Sequence, residues 1–177
     1  MKTLFVLRHA KSSWENTDLS DFARPLNERG LKAAPLMGKF IYKNQLQPKL
    51  ILSSPAERAK QTAILVKENA QIDGEIRYDE RIYEASPSRL LEVVSEQSDK
   101  IESVMLVGHN PGLEGLLKIL TGEAQPMPTA ALAVIDLKIG KWSEINSSKG
   151  NLRTLIRPKE LEKAKGNKVK GKSKKVK

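Results

Sequence analysis

An α/β fold, with a mainly parallel sheet flanked by helices, is what this sequence predicts, and three observations predict it. Short apolar runs alternate along the chain with stretches whose apolar residues recur at helical spacing. Prolines stand where helices should open, at Pro55, Pro87 and Pro111. The composition, 39% hydrophobic and 29% charged over 177 residues, suits a soluble domain with a sizeable core.

The elements follow in order. Thr3–Leu7 (TLFVL) reads as a buried strand, followed by a polar loop to about Arg24. Asn27 to Asn44 reads as a helix with Leu31, Ala34, Met37, Phe40 and Ile41 on one face, and Pro35 is expected to kink it or mark a restart. Lys49–Leu52 is a second strand. Pro55–Ala70 is a helix with proline at its first position and Ser54 as the expected N-cap.

Glu75–Tyr78 reads as a short edge strand, and Pro87–Gln97 as a third helix. Ser103–Val107 (SVMLV) is a third buried strand, and Pro111–Leu120 a further helix preceded by Asn110. Ala130–Leu137 and Leu152–Ile156 are the last strands, joined through a turn at Gly140. The folded domain is expected over residues 1–158.

The net charge of +10 is uneven: the segment from Lys163 to Lys177 holds eight lysines and no acid, leaving +2 for the remainder. With two valines and an alanine as its only apolar residues, it cannot bury enough surface to offset ordering. Residues 159–177 are therefore expected to form a Lys-rich disordered tail that aids solubility. Weak, salt-sensitive binding to polyanions is the second reading, and the absence of aromatic residues argues against base stacking.

Several chemistries are excluded. Without cysteine there is no disulfide, thiolate nucleophile or cysteine-ligated metal. Only two histidines, His9 and His109, are present, and a metal site would need many supporting carboxylates. The apolar run Leu4–Leu7 is too short for a signal peptide, and no stretch approaches membrane length, so a cytoplasmic location without membrane association is expected.

In open α/β sheets ligands gather beyond the carboxyl ends of strands. The first strand ends in Arg8-His9, the second leads through Ser53-Ser54 to a helix carrying Arg58, and the third ends in Gly108-His109. Arginines offer planar forks to phosphoryl oxygens, and a helix start near Pro55 adds amide donors. Positive surroundings lower an imidazole pKa, which favours the neutral, nucleophilic ring. The residues thus converge on phosphoryl transfer.

The chain resembles the histidine phosphatase superfamily, whose fold is phosphoglycerate mutase-like. The resemblance rests on Leu7-Arg8-His9-Ala10, on Ser54-Pro55-Ala56-Glu57-Arg58-Ala59-Lys60-Gln61-Thr62 and on Gly108-His109-Asn110, in the family's order. Alanine at position 10 replaces the glycine of the usual signature. Small size and Arg24-Pro25-Leu26-Asn27-Glu28-Arg29-Gly30 resemble the SixA-type phosphohistidine phosphatases.

The resemblance implies a three-layer sandwich with His9 as nucleophile, and Arg8, Arg58 and His109 holding the phosphoryl group, His109 as a cation in one version. It suggests Glu84 as the general acid, with Asp21 as a second candidate. No cofactor and no metal are implied. A phosphohistidine leaves well once its imidazole is protonated, so the lack of a clear acid favours N-phosphorylated substrates.

The partner expected is a protein carrying phosphohistidine; the alternative is a small phosphorylated metabolite, making the chain a phosphomonoesterase. A mutase is disfavoured for want of an enclosed, more cationic site. A non-catalytic adaptor acting through the lysine tail is a further reading. Ser53 and Ser54 could donate to phosphate, and Thr129 and Trp14 could line the pocket.

Overall fold

The computed structural model describes residues 1–146 and 149–173, with side chains of the last helix described as far as residue 166. Six strands, β1 (Lys2–Arg8), β2 (Leu50–Ser53), β3 (Glu75–Tyr78), β4 (Ser103–Gly108), β5 (Leu132–Leu137) and β6 (Gly150–Ile156), form one sheet in the order β3-β2-β4-β1-β5-β6. The pairs β3-β2, β2-β4 and β4-β1 are parallel, whereas β5 runs antiparallel to both of its neighbours, β1 and β6. The short β3 stands at the edge, as its half-polar sequence suggested.

Two apolar layers sandwich this sheet. Leu4 and Val6 of β1 face one cluster, with Leu90, Val93 and Val94 of α3 (Pro87–Ser95) and Leu113, Leu116 and Leu117 of α4 (Gly112–Thr121). Phe5 and Leu7 face the other, with Ala34, Met37 and Ile41 of α1 (Glu28–Lys43) and Ala59, Ala63 and Val66 of α2 (Glu57–Ala70). Alternate residues of a strand point to opposite faces, so a strand covered on both sides reads as a continuous apolar run. Trp142 is fully buried beyond β5, and its Nε1 donates to Ile101 O at 2.7 Å.

Helix α1 is capped by Asn27, whose side chain accepts from Gly30 N, and runs through Pro35 without interruption. The hydrogen bond that proline cannot make would have ended on Leu31, which is half-exposed and open to water. Gly38 supplies the close approach of α1 to α2: a Cβ there would lie 2.8 Å from Val66 O.

Two expected helix starts move. Helix α2 begins at Glu57 with Ala56 at the cap, since Ser54 accepts from Ala56 N and turns the chain before the helix. Helix α4 begins after Pro111, and Asn110 is not its cap; the Asn110 amide instead donates to Glu114 Oε1 and Met127 O.

The expectation of an unstructured tail from residue 159 is corrected. A helix, α5, spans Pro158–Ser173. Proline at its first position and Glu160 in its first turn favour initiation, and lysine, glutamate and alanine are good helix formers even without an apolar face. Leu161 packs against the α1/α2 cluster and supplies the anchor. The part of the tail over residues 174–177 lies outside the described residues. Among the described residues, no helix is long and apolar enough to cross a membrane.

Candidate active site

Strand register builds the site. Arg8 lies opposite Gly108 in the parallel β1-β4 pair, so His9 and His109 both follow the same rung of the ladder. His9 N donates to Gly108 O at 3.1 Å, and the two imidazole centroids stand 5.1 Å apart with the rings tilted by 50°. Ser54 N donates to Val107 O at 3.0 Å, bringing the β2 end to the same rim. The pocket there, of about 280 Å³, is lined by Arg8, His9, Arg24, Arg58, Glu84 and His109 among others. Arg8 and His9, Arg58, Glu84 and His109, far apart in sequence, therefore meet in one place.

The His9 ring is fixed by its own neighbour. Its Nδ1 lies 2.7 Å from Ala10 O. A carbonyl only accepts, so Nδ1 carries the proton and Nε2 retains the lone pair. Ala10 is held in turn by Thr62 Oγ1, which accepts from Ala10 N at 3.0 Å and donates to Arg58 O at 2.6 Å. One helix face thus supplies Arg58 to the pocket and Thr62 to the loop that follows His9. Gln61 beside them accepts from Leu26 N at 2.8 Å. Ala10 is fully buried in the apolar cluster, so its extra methyl is accommodated where glycine is usual.

Burial, opposed by the Ala10 hydrogen bond and helped by the Arg58, Arg8 and Arg24 charges, brings the His9 imidazole down to about 4. Burial likewise takes His109 down to about 3, helped by His9 and Arg58. These surroundings favour the neutral form of both rings at pH 7. Ser54 Oγ meets His109 Nε2 at 2.7 Å, and the buried Nδ1 has no partner among the described residues. Ser54 thus positions a histidine, while the Ser53 hydroxyl is spent on Ser54 O.

Asp21 does not suit the role of proton donor. Burial would raise its carboxyl, but hydrogen bonds from Tyr83, Arg24 and Arg58 outweigh that and hold it well below the usual carboxylate range. It accepts from Tyr83 Oη at 2.7 Å, Arg58 Nη2 at 3.0 Å and Arg24 Nη2 at 2.9 Å. An ionised carboxylate has no proton to give. Glu84 is exposed on the pocket rim, with a left-handed φ of 50° that a non-glycine residue adopts at a cost.

Arg24, Ser12 and Tyr83 were not read from the sequence as site residues. Arg24 is buried, donates to Ser12 Oγ at 2.6 Å and lies 3.5 Å above the Trp14 ring. Tyr83 meets the His109 ring edge-on at 5.5 Å. The available signal was the crowding of Arg24 and Asp21 into the loop after His9, which fixes proximity in sequence but no direction. Trp14 and Thr129 both line the pocket, Trp14 as an exposed ring carrying Arg24.

Residues 4–93 match the model of the histidine phosphatase superfamily, branch 1. The chain belongs to that superfamily. A Mycobacterium tuberculosis relative, itself uncharacterized, is 30% identical over 78% of this chain and 91% of its own length. An Arabidopsis thaliana relative named as chloroplastic is 30% identical over 81% of this chain and 70% of its own length.

Among histidine phosphatase structures, one from Agrobacterium tumefaciens, provisionally named phosphohistidine phosphatase SixA, superposes with a TM-score of 0.77 and 31% identity. It covers 89% of this chain and 98% of that one. The fold is shared also with the protein histidine phosphatase SixA complexed with tungstate, at a TM-score of 0.73 and 23% identity over 90% and 99% of the two chains. The α/β sandwich of this chain is thus phosphoglycerate mutase-like, with SixA proteins among its structural neighbours.

Proposed function

We propose that the chain is a phosphatase that removes the phosphoryl group from phosphohistidine in a protein, through a covalent phosphohistidine on His9. The observation that carries this reading is the free Nε2 of a neutral His9, oriented by Ala10 O and flanked by Arg8, Arg58 and His109. The likeness to SixA proteins supports the choice of substrate, and the tungstate in one of their names suggests that a tetrahedral oxyanion suits such a site.

The steps balance as follows. The Nε2 lone pair of His9 forms a bond to phosphorus while the substrate's N–P bond breaks, and the leaving imidazole takes a proton from the Glu84 carboxylic acid. Water then attacks phosphorus and gives its proton to the Glu84 carboxylate. The bond to His9 breaks, the lone pair returns to Nε2, and phosphate leaves. Arg8, Arg58 and His109 hold the three non-bridging oxygens as charge moves. Guanidinium groups supply the charge that a metal would otherwise provide, so none is required.

Mixing enzyme with a histidine-phosphorylated phosphotransfer protein bearing labelled phosphate, and quenching rapidly, should trap acid-labile, base-stable label on His9. Label on a serine, or turnover surviving in His9→Ala, would defeat the mechanism. A panel of sugar and nucleotide phosphates run beside the protein substrate decides between a phosphohistidine phosphatase and a small-molecule phosphomonoesterase.

A further inference from the structure

Beside the catalytic pocket lies a second cavity of about 420 Å³, bordered by Lys11, Arg29, Lys32, Arg157 and Lys159 together with Glu160 and Glu162. The two cavities share Lys11 and Thr129 in their walls. The backbone explains why they adjoin. Asn27 N donates to Lys11 O at 3.0 Å, and Gly30 packs so close to Lys11 O that a Cβ would lie 2.2 Å away, which brings Arg29 and Lys32 of α1 beside the chain leaving His9.

On the other side, Ala130 N donates to His9 O at 3.1 Å, and Arg157 Nη2 reaches Pro126 O at 3.1 Å, which brings the end of β6 and the start of α5 to the same rim.

The charges are poorly matched within the chain. Glu160 is engaged by Arg157, accepting from its backbone N–H at 2.7 Å with the side chains 3.9 Å apart. Among the described residues no carboxylate lies within ion-pair distance of Lys11, Arg29, Lys32 or Lys159. Like charges crowded around a concavity oppose folding, and an anionic partner would relieve them. These four side chains are exposed. Such long, mobile cations suit a broad acidic surface better than one small anion held by fixed donors.

We propose that this groove docks an acidic surface of the phosphoprotein substrate, next to its phosphohistidine. The inference rests on the reading of the chain as a protein phosphohistidine phosphatase. A partner with its phosphorylated imidazole against His9 would lay the neighbouring surface across Lys32 and Lys159. Charge complementarity of this kind raises the encounter rate and fixes the orientation of the complex.

The test compares wild type with Lys32→Glu/Lys159→Glu, with the milder Lys32→Ala/Lys159→Ala, and with Lys49→Glu/Lys138→Glu on the opposite rim, all checked for unchanged thermal unfolding. The substrates are a histidine-phosphorylated phosphotransfer domain of net negative charge and the small molecule phosphoramidate. At low salt the groove reversal should raise KM for the protein about tenfold and flatten its salt dependence. The alanine pair should give a smaller rise in the same direction. The value of kcat, the kinetics on phosphoramidate and the opposite-rim variant should stay within about twofold of wild type.

Equal losses on both substrates, or an unchanged KM for the protein, would overturn the docking groove. Absence of turnover on the phosphoprotein by wild type would count against the functional reading instead. The groove is then judged by salt-dependent binding of the unphosphorylated domain, and binding indifferent to Lys32→Glu/Lys159→Glu would overturn it. Displacement of that domain by an equimolar single-stranded DNA would also overturn it, in favour of nucleic acid.

Discussion

Asp21 and Arg58 are locked together twice: Arg58 Nη1 donates to the Asp21 carbonyl at 2.6 Å, and Nη2 to its carboxylate at 3.0 Å. Arg58 comes from α2 and Asp21 from the loop after His9, so the pair ties the pocket-lining helix to the chain that leaves His9. The same carboxylate also takes Arg24 and the Tyr83 hydroxyl. A residue first considered as a proton donor is thereby a positioning residue for two guanidinium groups.

Asp21→Asn should therefore lower kcat/KM by about tenfold, since a guanidinium displaced by an ångström loses its purchase on the transition state. The loss should appear mainly in kcat, and the acid limb of the pH profile should not move, because Asp21 is not the group that titrates there. Steady-state kinetics across pH 4 to 8 would check both. A profile shifted on its acid side would restore Asp21 to proton transfer.

The depressed imidazoles set the pH dependence. Protonating His9 removes its lone pair, so kcat/KM should fall only as pH drops towards the folded value of about 4, not near 6.5. For stability the sign is the same: the unfolded rings bind protons between the folded and unfolded values, where the folded ones do not. Stability is full above 6.5 and falls with pH towards 4, by up to about 1.4 kcal/mol per pH unit for each ring. His9→Gln/His109→Gln should flatten that slope in denaturant titrations.

Arg58→Lys should cost about a hundredfold in kcat/KM, because a point charge cannot both reach Asp21 and present two parallel donors to phosphate. His9→Ala should remove turnover altogether. Stopped-time assays on phosphoramidate would show both.

Chelator should leave the rate unchanged, and tungstate should inhibit competitively against the phosphorylated substrate. Strong inhibition by chelator, restored by added metal, would refute the metal-independent mechanism. Protection of His9 from carboxyethylation by tungstate would check the anion's place.

Gly30→Ala should destabilise the fold by about 2–4 kcal/mol, since its Cβ would lie 2.2 Å from Lys11 O, a backbone atom with nowhere to retreat. Activity should fall beyond what the lost stability explains, because the displaced segment includes Ala10. Thermal unfolding beside assays at low temperature would separate the two effects.

The central strands were legible because they are buried on both faces, so TLFVL and SVMLV announce themselves as unbroken apolar runs. Their ends named Arg8, His9 and His109, and the Ser-Pro-x-x-Arg pattern named Arg58. Arg24 and Tyr83 were not legible, because each reaches the site through a loop whose path depends on contacts with distant residues. Helix α5 is not legible for a different reason: its charge density reads as disorder, while Leu161 packs it against the α1/α2 cluster. The shift of α2 to Glu57 came from Ser54, whose hydroxyl serves both Ala56 N and His109 and so does not cap the helix.

The pairing of Arg8 with Gly108 makes β1 a ruler. Each residue along it turns the next side chain to the other face, and the two imidazoles agree in direction only because both strands end in step. Inserting or deleting one residue between Thr3 and Leu7 would exchange the two halves of the core and swing His9 away from its companion. Length in this segment is thus under tighter constraint than the identity of any one of its apolar side chains.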